Sequence, residues 1–529
     1  MAHQVGKDSF RLDPEDLDCY TRVLAGVCGV SEHRRGGELV DALIHRSHLP
    51  LLPPEAQPLS IVSPRSRSWS VQPPKPLRDY QAEAVAFARG RSGAAFFHDL
   101  GLGKNYMIFP AMDYPAMAVC PTSALQVWEE EAHGYGLDVQ IHQGRASSVE
   151  KISQTVDLHL ITYGSAPYWM PLFHGQGRYP KVHTVALDEA HALHKRASRI
   201  HRALAHVRRD STIPMTATPG RNRLRSLHGI LHAMAPGAFG SLAEFRHRYG
   251  GAEYDPYNRL QDGPELTNVD ELAARLTEVA SVESWLSPRV QHLRPPLMRD
   301  TIEVDIPFDG RVQMIEDAIA RAFGKMKTAG AANASAISYM TAQRAELGKL
   351  KGDWLVDSGY LDDLMDRHKR LIIWCWHKEV LRPLSILLQL RAQVGGPPVD
   401  VVTGEAPTGK RKKIIREWQH GDPSEPRVLL ATLGSMSTAV NLTTAEAAVF
   451  LEMSWAPLDL QQAEARHHRP GSRYDEVFAY YATVPNMIDG RMASTLLEKV
   501  EDIEAALGQS SQKDQMLSLL GGHELENIF

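Results

Sequence analysis

From Leu77 onward short, β-rich apolar runs alternate with amphipathic stretches, and after a long helical region, Val312 to His368, the same rhythm begins again. Parallel strands need crossover connections, and the crossover helices bury the sheet they cover, so this alternation predicts parallel α/β sheets. The first set of candidate strands is Ala94 to His98, Ala116 to Cys120, Leu158 to Thr162, Thr184 to Leu187 and Ile213 to Thr216. The second is Leu371 to Trp376, Val399 to Val402, Val428 to Ala431, Ala448 to Leu451 and Val477 to Tyr481. A length of 529 residues with 43% apolar content suits two large cores rather than one. The expected division is an accessory segment and linker over 1–75, a first lobe over 76–300, a helical insertion over 301–370, and a second lobe over 371–529. Leu51 to Pro76 is rich in Pro, Ser and Arg, as linkers are, and Met487 to Leu507 has the spacing of an amphipathic helix packing back on the second lobe.

Composition excludes several classes. No apolar stretch approaches the roughly 20 residues needed to cross a bilayer, and Met1 to Phe10 lacks a basic region followed by an apolar one. The expectation is a soluble, cytoplasmic protein of bacterial or viral origin, or a nuclear one in a eukaryote. Cys19, Cys28, Cys120 and Cys375 form no Cys-x-x-Cys pair, which argues for buried reduced thiols rather than a zinc or disulfide framework. A net charge of -5 gives no sign of a polyanion partner, so local basic runs carry that argument. One contains Lys195, Arg196, Arg199, Arg202, Arg208, Arg209, Arg221, Arg223 and Arg225; the other contains Lys410, Arg411, Lys412, Lys413 and Arg416. The first brackets two further motifs, which favours phosphate contact over a merely solvated face.

Those motifs lie just past strand ends, where open parallel sheets bind their ligands. Gly101-Leu102-Gly103-Lys104-Asn105 follows the first strand. A Gly-rich turn opening a helix directs backbone N–H groups and the positive helix end at phosphate, and the lysine neutralises the outer phosphates. Position 98 is His where the full Gly-x-x-x-x-Gly-Lys pattern has Gly, so the loop alone could still be a glycine turn with a surface lysine. Asp188-Glu189-Ala190-His191 follows Val185-Ala186-Leu187 and places two carboxylates at the mouth of the same sheet. Asp188 suits a Mg2+ ion, directly or through water, and Glu189 suits orienting and deprotonating an attacking water. Arg466 and Arg469, three apart on a predicted helix, share a face and are candidate arginine fingers.

Taken together these residues resemble the Snf family of superfamily-two helicase-like ATPases, nearest its compact annealing-helicase-like branch. The resemblance runs from about Leu77 to Leu507. It rests on Leu77-Arg78-Asp79-Tyr80-Gln81, the phosphate loop, Asp188 to His191, Met215 to Pro219, and Ala235 to Ser241 with Phe245 and Tyr249. In the second half it rests on Asn441-Leu442-Thr443, Ser454 to Pro457, Gln462 to Arg469 and Ile488-Asp489. It implies two RecA-like lobes with a nucleotide cleft between them: an ATP-binding lobe over 76–300 and a helicase C-terminal lobe over 371–529. It implies ATP and Mg2+ as cofactors, Gln81 as the adenine reader, and Lys104 as the phosphate grip. It also places Thr122, Thr162, Tyr163, Thr216 to Thr218, Thr432 and Trp455 near a DNA track, with Arg221 from the basic run.

Two departures stand out. The family carries Thr or Ser after the lysine, its hydroxyl on Mg2+, whereas this chain has Asn105. The amide oxygen stands about 1.2 Å beyond its carbon, and Mg2+ demands ligands at about 2.0 to 2.1 Å, so turnover is expected to be slow or to need DNA to align the site. The other departure is Arg469-Pro470-Gly471-Ser472, where the family has a different sequence around the glycine. The expected activity is that of a DNA-dependent ATPase translocating on or remodelling double-stranded or branched DNA, with a possible protein partner through residues 1–75. The alternatives are an ATP-gated DNA clamp weakened by Asn105, or the motor subunit of a defence complex.

Overall fold

The computed structural model describes residues 71–484 except 147, 194–198, 220–223, 255–259, 262–266, 286, 308–309, 311, 316, 319–320, 322–333, 406–407, 437–439 and 454–456, together with four strands between residues 2 and 45. Met487 to Leu507, Arg221 and Trp455 therefore lie outside the described residues. Two compact units emerge: unit 1 is Met1–Trp285 with Gln509–Phe529, and unit 2 is Leu286–Gly508.

The first four strands, β1 (Ala2–Gln4), β2 (Ser9–Leu12), β3 (Ser31–Arg35) and β4 (Glu38–His45), form an antiparallel sheet in the order β1-β2-β4-β3. The sequence showed no readable pattern there. The main sheet of unit 1 contains β5 (Ala95–His98), β6 (Ala116–Cys120), β7 (Val139–His142), β8 (Leu158–Thr162), β9 (Thr184–Leu187) and β10 (Ser211–Pro214). The order β10-β9-β6-β8-β7 is parallel throughout. Parallel bridges from Gly93 to Thr212 and from Phe96 to Met215 set β5 beside β10. After a short hairpin of β11 (Glu253–Tyr254) and β12 (Leu260–Gln261), β13 (Ala280–Glu283) adds to the far side of β5, also parallel.

Helices of eight or more residues cover these strands: α1 (Asp79–Arg89), α2 (Lys104–Ala111), α3 (Leu125–Gly134), α4 (Arg199–His206), α5 (Leu224–Met234), α6 (Leu242–Gly250) and α7 (Val269–Val279). All residues of β5, β6, β8, β9 and β10 are buried, as expected of strands covered on both faces. One core cluster joins Phe97, Val119, Ile161 and Leu187 to Leu227, Leu231 and Phe245.

Unit 2 repeats the plan with β14 (Leu297–Glu303), β15 (Arg370–Cys375), β16 (Val399–Val402), β17 (Arg427–Thr432), β18 (Ala447–Phe450) and β19 (Val477–Thr483). All pair in parallel in the order β14-β19-β18-β15-β17-β16. On one face, α8 (Ala334–Asp357), α9 (Tyr360–Arg367) and α10 (Lys378–Gln393) pack Leu355, Leu364, Leu384 and Leu388 against Ile373 and Val449. On the other, α11 (Thr408–His420) and α12 (Pro457–His467) pack Trp418 and Leu460 against Trp374 and Phe450. The helical stretch predicted before β15 breaks at Gly359, whose φ of 79° suits a residue without a Cβ. The expected pair of parallel α/β sheets is thus observed.

Candidate active site

The phosphate-loop segment leaves β5 at Asp99 and enters α2 at Lys104. Gly101 and Gly103 sit at φ 85° and 81°. The left-handed backbone favours glycine at 103, and a Cβ there would stand 2.7 Å from Gln81 Nε2 and displace that amide. The Lys104 ammonium donates to the carbonyls of His98 at 2.7 Å and Asp99 at 3.1 Å. Gln81 and Tyr80, at the start of α1, brace the loop: Gln81 Nε2 and the Tyr80 hydroxyl donate to the Leu102 carbonyl at 3.2 and 2.8 Å. Gln81 Oε1 accepts from the Arg78 amide at 3.0 Å.

The other side of the loop is held by residues the sequence reading did not single out. Asp99 Oδ2 accepts from the Ser284 hydroxyl at 2.8 Å and the Trp285 amide at 2.9 Å, while Trp285 Nε1 donates to the Leu100 carbonyl at 2.8 Å. His98, where the motif has Gly, is wholly buried; burial first, then the Lys104 charge, lowers its pKa to about 3. It is a neutral ring bonded to Ser281 at 3.0 Å.

Asp188 follows β9 and is buried. Its Oδ2 accepts from Trp128 Nε1 on α3 at 2.9 Å, and its Oδ1 from the Glu189 amide at 3.0 Å. Burial, then the Glu189 charge, raises its pKa to about 6, against the lowering effect of the Trp128 hydrogen bond and Lys104. Glu131, one turn beyond Trp128, is pushed up to about 7 by burial and by the Asp188 charge. Two carboxyls held up by burial beside a phosphate loop are what a divalent cation relieves. Among the described residues no group of three His, Cys, Asp or Glu side chains could hold a metal alone. That fits Mg2+, which takes one or two carboxylates and completes its shell with water and phosphate.

Glu189 has φ 48°, a left-handed backbone that costs a non-glycine residue of order 1–3 kcal/mol and often marks a functional site. Its Oε2 lies 3.3 Å from His191 Nδ1, and His191 Nδ1 lies 3.3 Å from Thr216 Oγ1. Thr216 Oγ1 also accepts from the Thr218 amide at 3.1 Å. The acidic motif and the Thr-Ala-Thr motif are therefore one polar network.

Of the residues assigned to a DNA track, Thr122 is exposed and Thr432 buried. Thr162 Oγ1 donates to Ser165 Oγ at 3.1 Å, and the Tyr163 hydroxyl donates to the Asp188 carbonyl at 2.6 Å. Arg209 is drawn out of the first basic run by donating to Thr212 Oγ1 and to the carbonyls of Leu204, Val207 and Ala233. Arg199 and Arg145 instead lie over the Tyr168 ring, at 5.1 and 5.5 Å.

In unit 2, Arg466 lies at the end of α12, buried, and its carbonyl accepts from the Leu442 amide at 2.8 Å. Arg469 Nε donates to the Ala465 carbonyl, and burial lowers its pKa to about 10. The neighbouring rings serve the fold: His467 Nε2 donates to the Phe478 carbonyl at 3.1 Å and His468 Nε2 to the Pro295 carbonyl at 2.8 Å.

Residues 31–282 match the family model described as the SNF2-related domain, and residues 357–471 match the helicase conserved C-terminal domain. The chain thus carries an SNF2-related domain followed by a helicase C-terminal domain. Its similarity to the SWI/SNF-related matrix-associated actin-dependent regulator of chromatin subfamily A-like protein 1 homolog of Caenorhabditis elegans is 24% identity, covering 82% of this chain and 62% of that protein. With the DNA annealing helicase and endonuclease ZRANB3 of Bos taurus it shares 23% identity over 83% of this chain and 41% of that protein. With the putative ATP-dependent helicase/translocase YwqA of Bacillus subtilis it shares 22%, over 86% and 50%. The chain therefore spans only part of the length of each of these relatives. Within this SNF2-related chain, the residues that the motifs did not reveal are Trp128, Glu131, Asp99 and Trp285. A Trp-x-x-Glu spacing on a helix was the one available signal for the first two. No helix among the described residues is long and apolar enough to cross a membrane.

Proposed function

We propose that this chain is a DNA-stimulated ATPase that couples ATP hydrolysis to movement along, or remodelling of, double-stranded or branched DNA. The observation that carries the reading is the meeting, at one end of the unit 1 sheet, of a glycine-bent phosphate loop and the buried Asp188 carboxylate, which Trp128 holds and on which the Lys104 charge acts. On this reading the backbone of Gly101, Leu102 and Gly103 cradles the phosphates, Lys104 exchanges its two carbonyl partners for phosphate oxygens, and Gln81 links adenine recognition to the loop it already braces. Asp188, with Asn105, holds Mg2+, which supplies charge neutralisation at the phosphates. Glu189, set by its left-handed backbone and His191, orients and deprotonates the water. Arg466 and Arg469 supply cationic charge for the transition state. Thr122, Arg221, Thr432 and Trp455 remain the proposed DNA contacts with Thr162. Tyr163, bonded to the Asp188 carbonyl, couples that track to the metal site.

The deciding experiment is steady-state ATP hydrolysis with and without double-stranded, single-stranded and forked DNA, with Lys104→Ala as the blank. Stimulation by duplex or fork is expected; a rate indifferent to DNA at every Mg2+ concentration would refute the reading. A second reading, an ATP-gated clamp, is favoured by one observation: Asn105 stands directly after the phosphate-gripping lysine, where the family carries a hydroxyl. It predicts nucleotide-dependent DNA affinity with little turnover, and a strong rise in turnover in Asn105→Thr.

A further inference from the structure

Arg145, Tyr168 and Arg199 come from three different connections of unit 1, those that follow β7, β8 and β9. These strands run parallel, so the connections leave the same end of the sheet as Asp188 and Thr162. The buried Trp169 donates its indole N–H to the Gly144 carbonyl at 3.2 Å, which latches the turn carrying Arg145 to the short helix Ala166–Trp169 that carries Tyr168. Ala146, Tyr168 and Ile200 pack against one core cluster, so the neighbours of both arginines are anchored together with the ring. The guanidinium carbons of Arg145 and Arg199 lie 5.5 and 5.1 Å from the ring centroid, within cation–π range. Both arginines are exposed, and neither pairs with a carboxylate among the described residues. A ring attracts cations without cancelling their charge, so two guanidiniums gathered on one ring leave a positive patch that an anion completes.

We infer that Arg145, Tyr168 and Arg199 form a phosphate clamp for the backbone of duplex DNA, in which Tyr168 holds both guanidiniums in place before the DNA arrives. The inference rests on the DNA reading above and deepens it: the clamp carries the proposed track from Thr162, at the end of β8, to the β7 edge of the sheet. Guanidiniums suit this task because their planar forks match phosphate oxygens. The nucleotide's own phosphates belong elsewhere. Strands β6, β9 and β10 stand between β8 and the phosphate-loop strand β5, a separation of about 19 Å at the usual strand spacing.

The test measures binding of the full chain to a fluorescent DNA duplex between about 50 and 200 mM salt, alongside ATP affinity and melting temperature. Arg145→Ala and Arg199→Ala should each lower the slope of log affinity against log salt by about 0.9, as the loss of one phosphate contact does, with ATP affinity unchanged. Arg145→Lys and Arg199→Lys keep the charge and should keep most of the slope. Tyr168→Phe, which keeps the ring, should match wild type. Tyr168→Leu should weaken binding and shrink the further loss from Arg145→Ala, because the two residues act together. The inference is overturned if both alanine variants keep the wild-type slope, or if the lysine variants lose as much slope as the alanine ones. It is overturned too if binding weakens only in step with melting temperature, as for a purely structural stack. A wild-type chain that binds no duplex takes the functional reading down as well, whereas wild-type binding that these changes leave intact removes the clamp alone.

Discussion

The two sheets share a plan but treat their motif residues in opposite ways. In unit 1 the motif side chains are bonded to one another and to α3: Glu189 to His191, His191 to Thr216, and Asp188 to Trp128. The carboxyls there are held above their usual range, and the backbone at Glu189 is left-handed. In unit 2 the equivalent segment is anchored to the fold. His467 and His468 donate to carbonyls of Phe478 and Pro295, and Glu464 pairs with Arg299 at 2.9 Å. Unit 1 therefore stores electrostatic cost where chemistry is proposed, while unit 2 spends its polar groups on holding a helix in register.

The comparison breaks most sharply at the arginines. If Arg466 and Arg469 act on the transition state, each Arg→Ala variant should lose roughly a thousandfold in kcat with its melting temperature within a few degrees of wild type. A loss of hydrolysis matched by an equal loss of folded protein would make them anchors like their histidine neighbours. Next in size, Glu189→Gln should cost about 10² to 10⁴ in kcat while nucleotide affinity holds; a fall in KM-type binding instead would place Glu189 in binding, not chemistry.

The smallest effect is on stability against pH. Burial holds His159 at about 3 and His467 at about 4, below their ordinary 6.5. The unfolded chain binds these protons first, so this stability is present above pH 6.5 and is lost as pH falls from there toward the folded values. Asp188, raised to about 6, acts oppositely: its folded form keeps a proton from about pH 4 to 6, so acidification through that window favours unit 1. His467→Gln should therefore flatten the acid slope of thermal stability by about 1.4 kcal/mol per pH unit at most. Asp188→Asn should steepen the slope of unit 1 in the absence of Mg2+. An unchanged slope in both would remove the electrostatic contrast between the units.

Much of this fold was legible in the chain. The strands Ala116–Cys120, Leu158–Thr162 and Thr184–Leu187 were read at their observed limits because strands buried on both faces appear as largely apolar runs, and the edge strand Val399–Val402 was read at its limits from its β-branched residues. The runs for β5, β15, β17 and β18 were read to within a residue, and β19 from its first residue. The strand β10 was read two residues late, since the ladder to β9 begins at Ser211 and Thr212, polar residues whose burial no local pattern announces. The strands β7, β13 and β14 were missed: β7 and β14 lie at sheet edges, and all three mix polar with apolar side chains. Among the site residues, Gly101, Lys104, Asp188 and Glu189 announce themselves by spacing along the chain. Trp128 and Trp285 do not, because their partners lie on other elements and only folding brings them together. The predicted burial of the cysteines holds for Cys120 and Cys375.

The hydrogen bond between Trp128 and Asp188 also gives this protein an optical handle. The indole is wholly buried, packs 5.4 Å from Phe109 between ring centroids, and spends its only donor on the carboxylate proposed to meet the metal. Any change in charge or orientation at that carboxylate alters the electric field across the indole and thus its emission wavelength. Of the nine tryptophans in the chain, this one reads the proposed catalytic end of the sheet directly, so a difference spectrum against Trp128→Phe would follow each stage of a nucleotide cycle without any added dye.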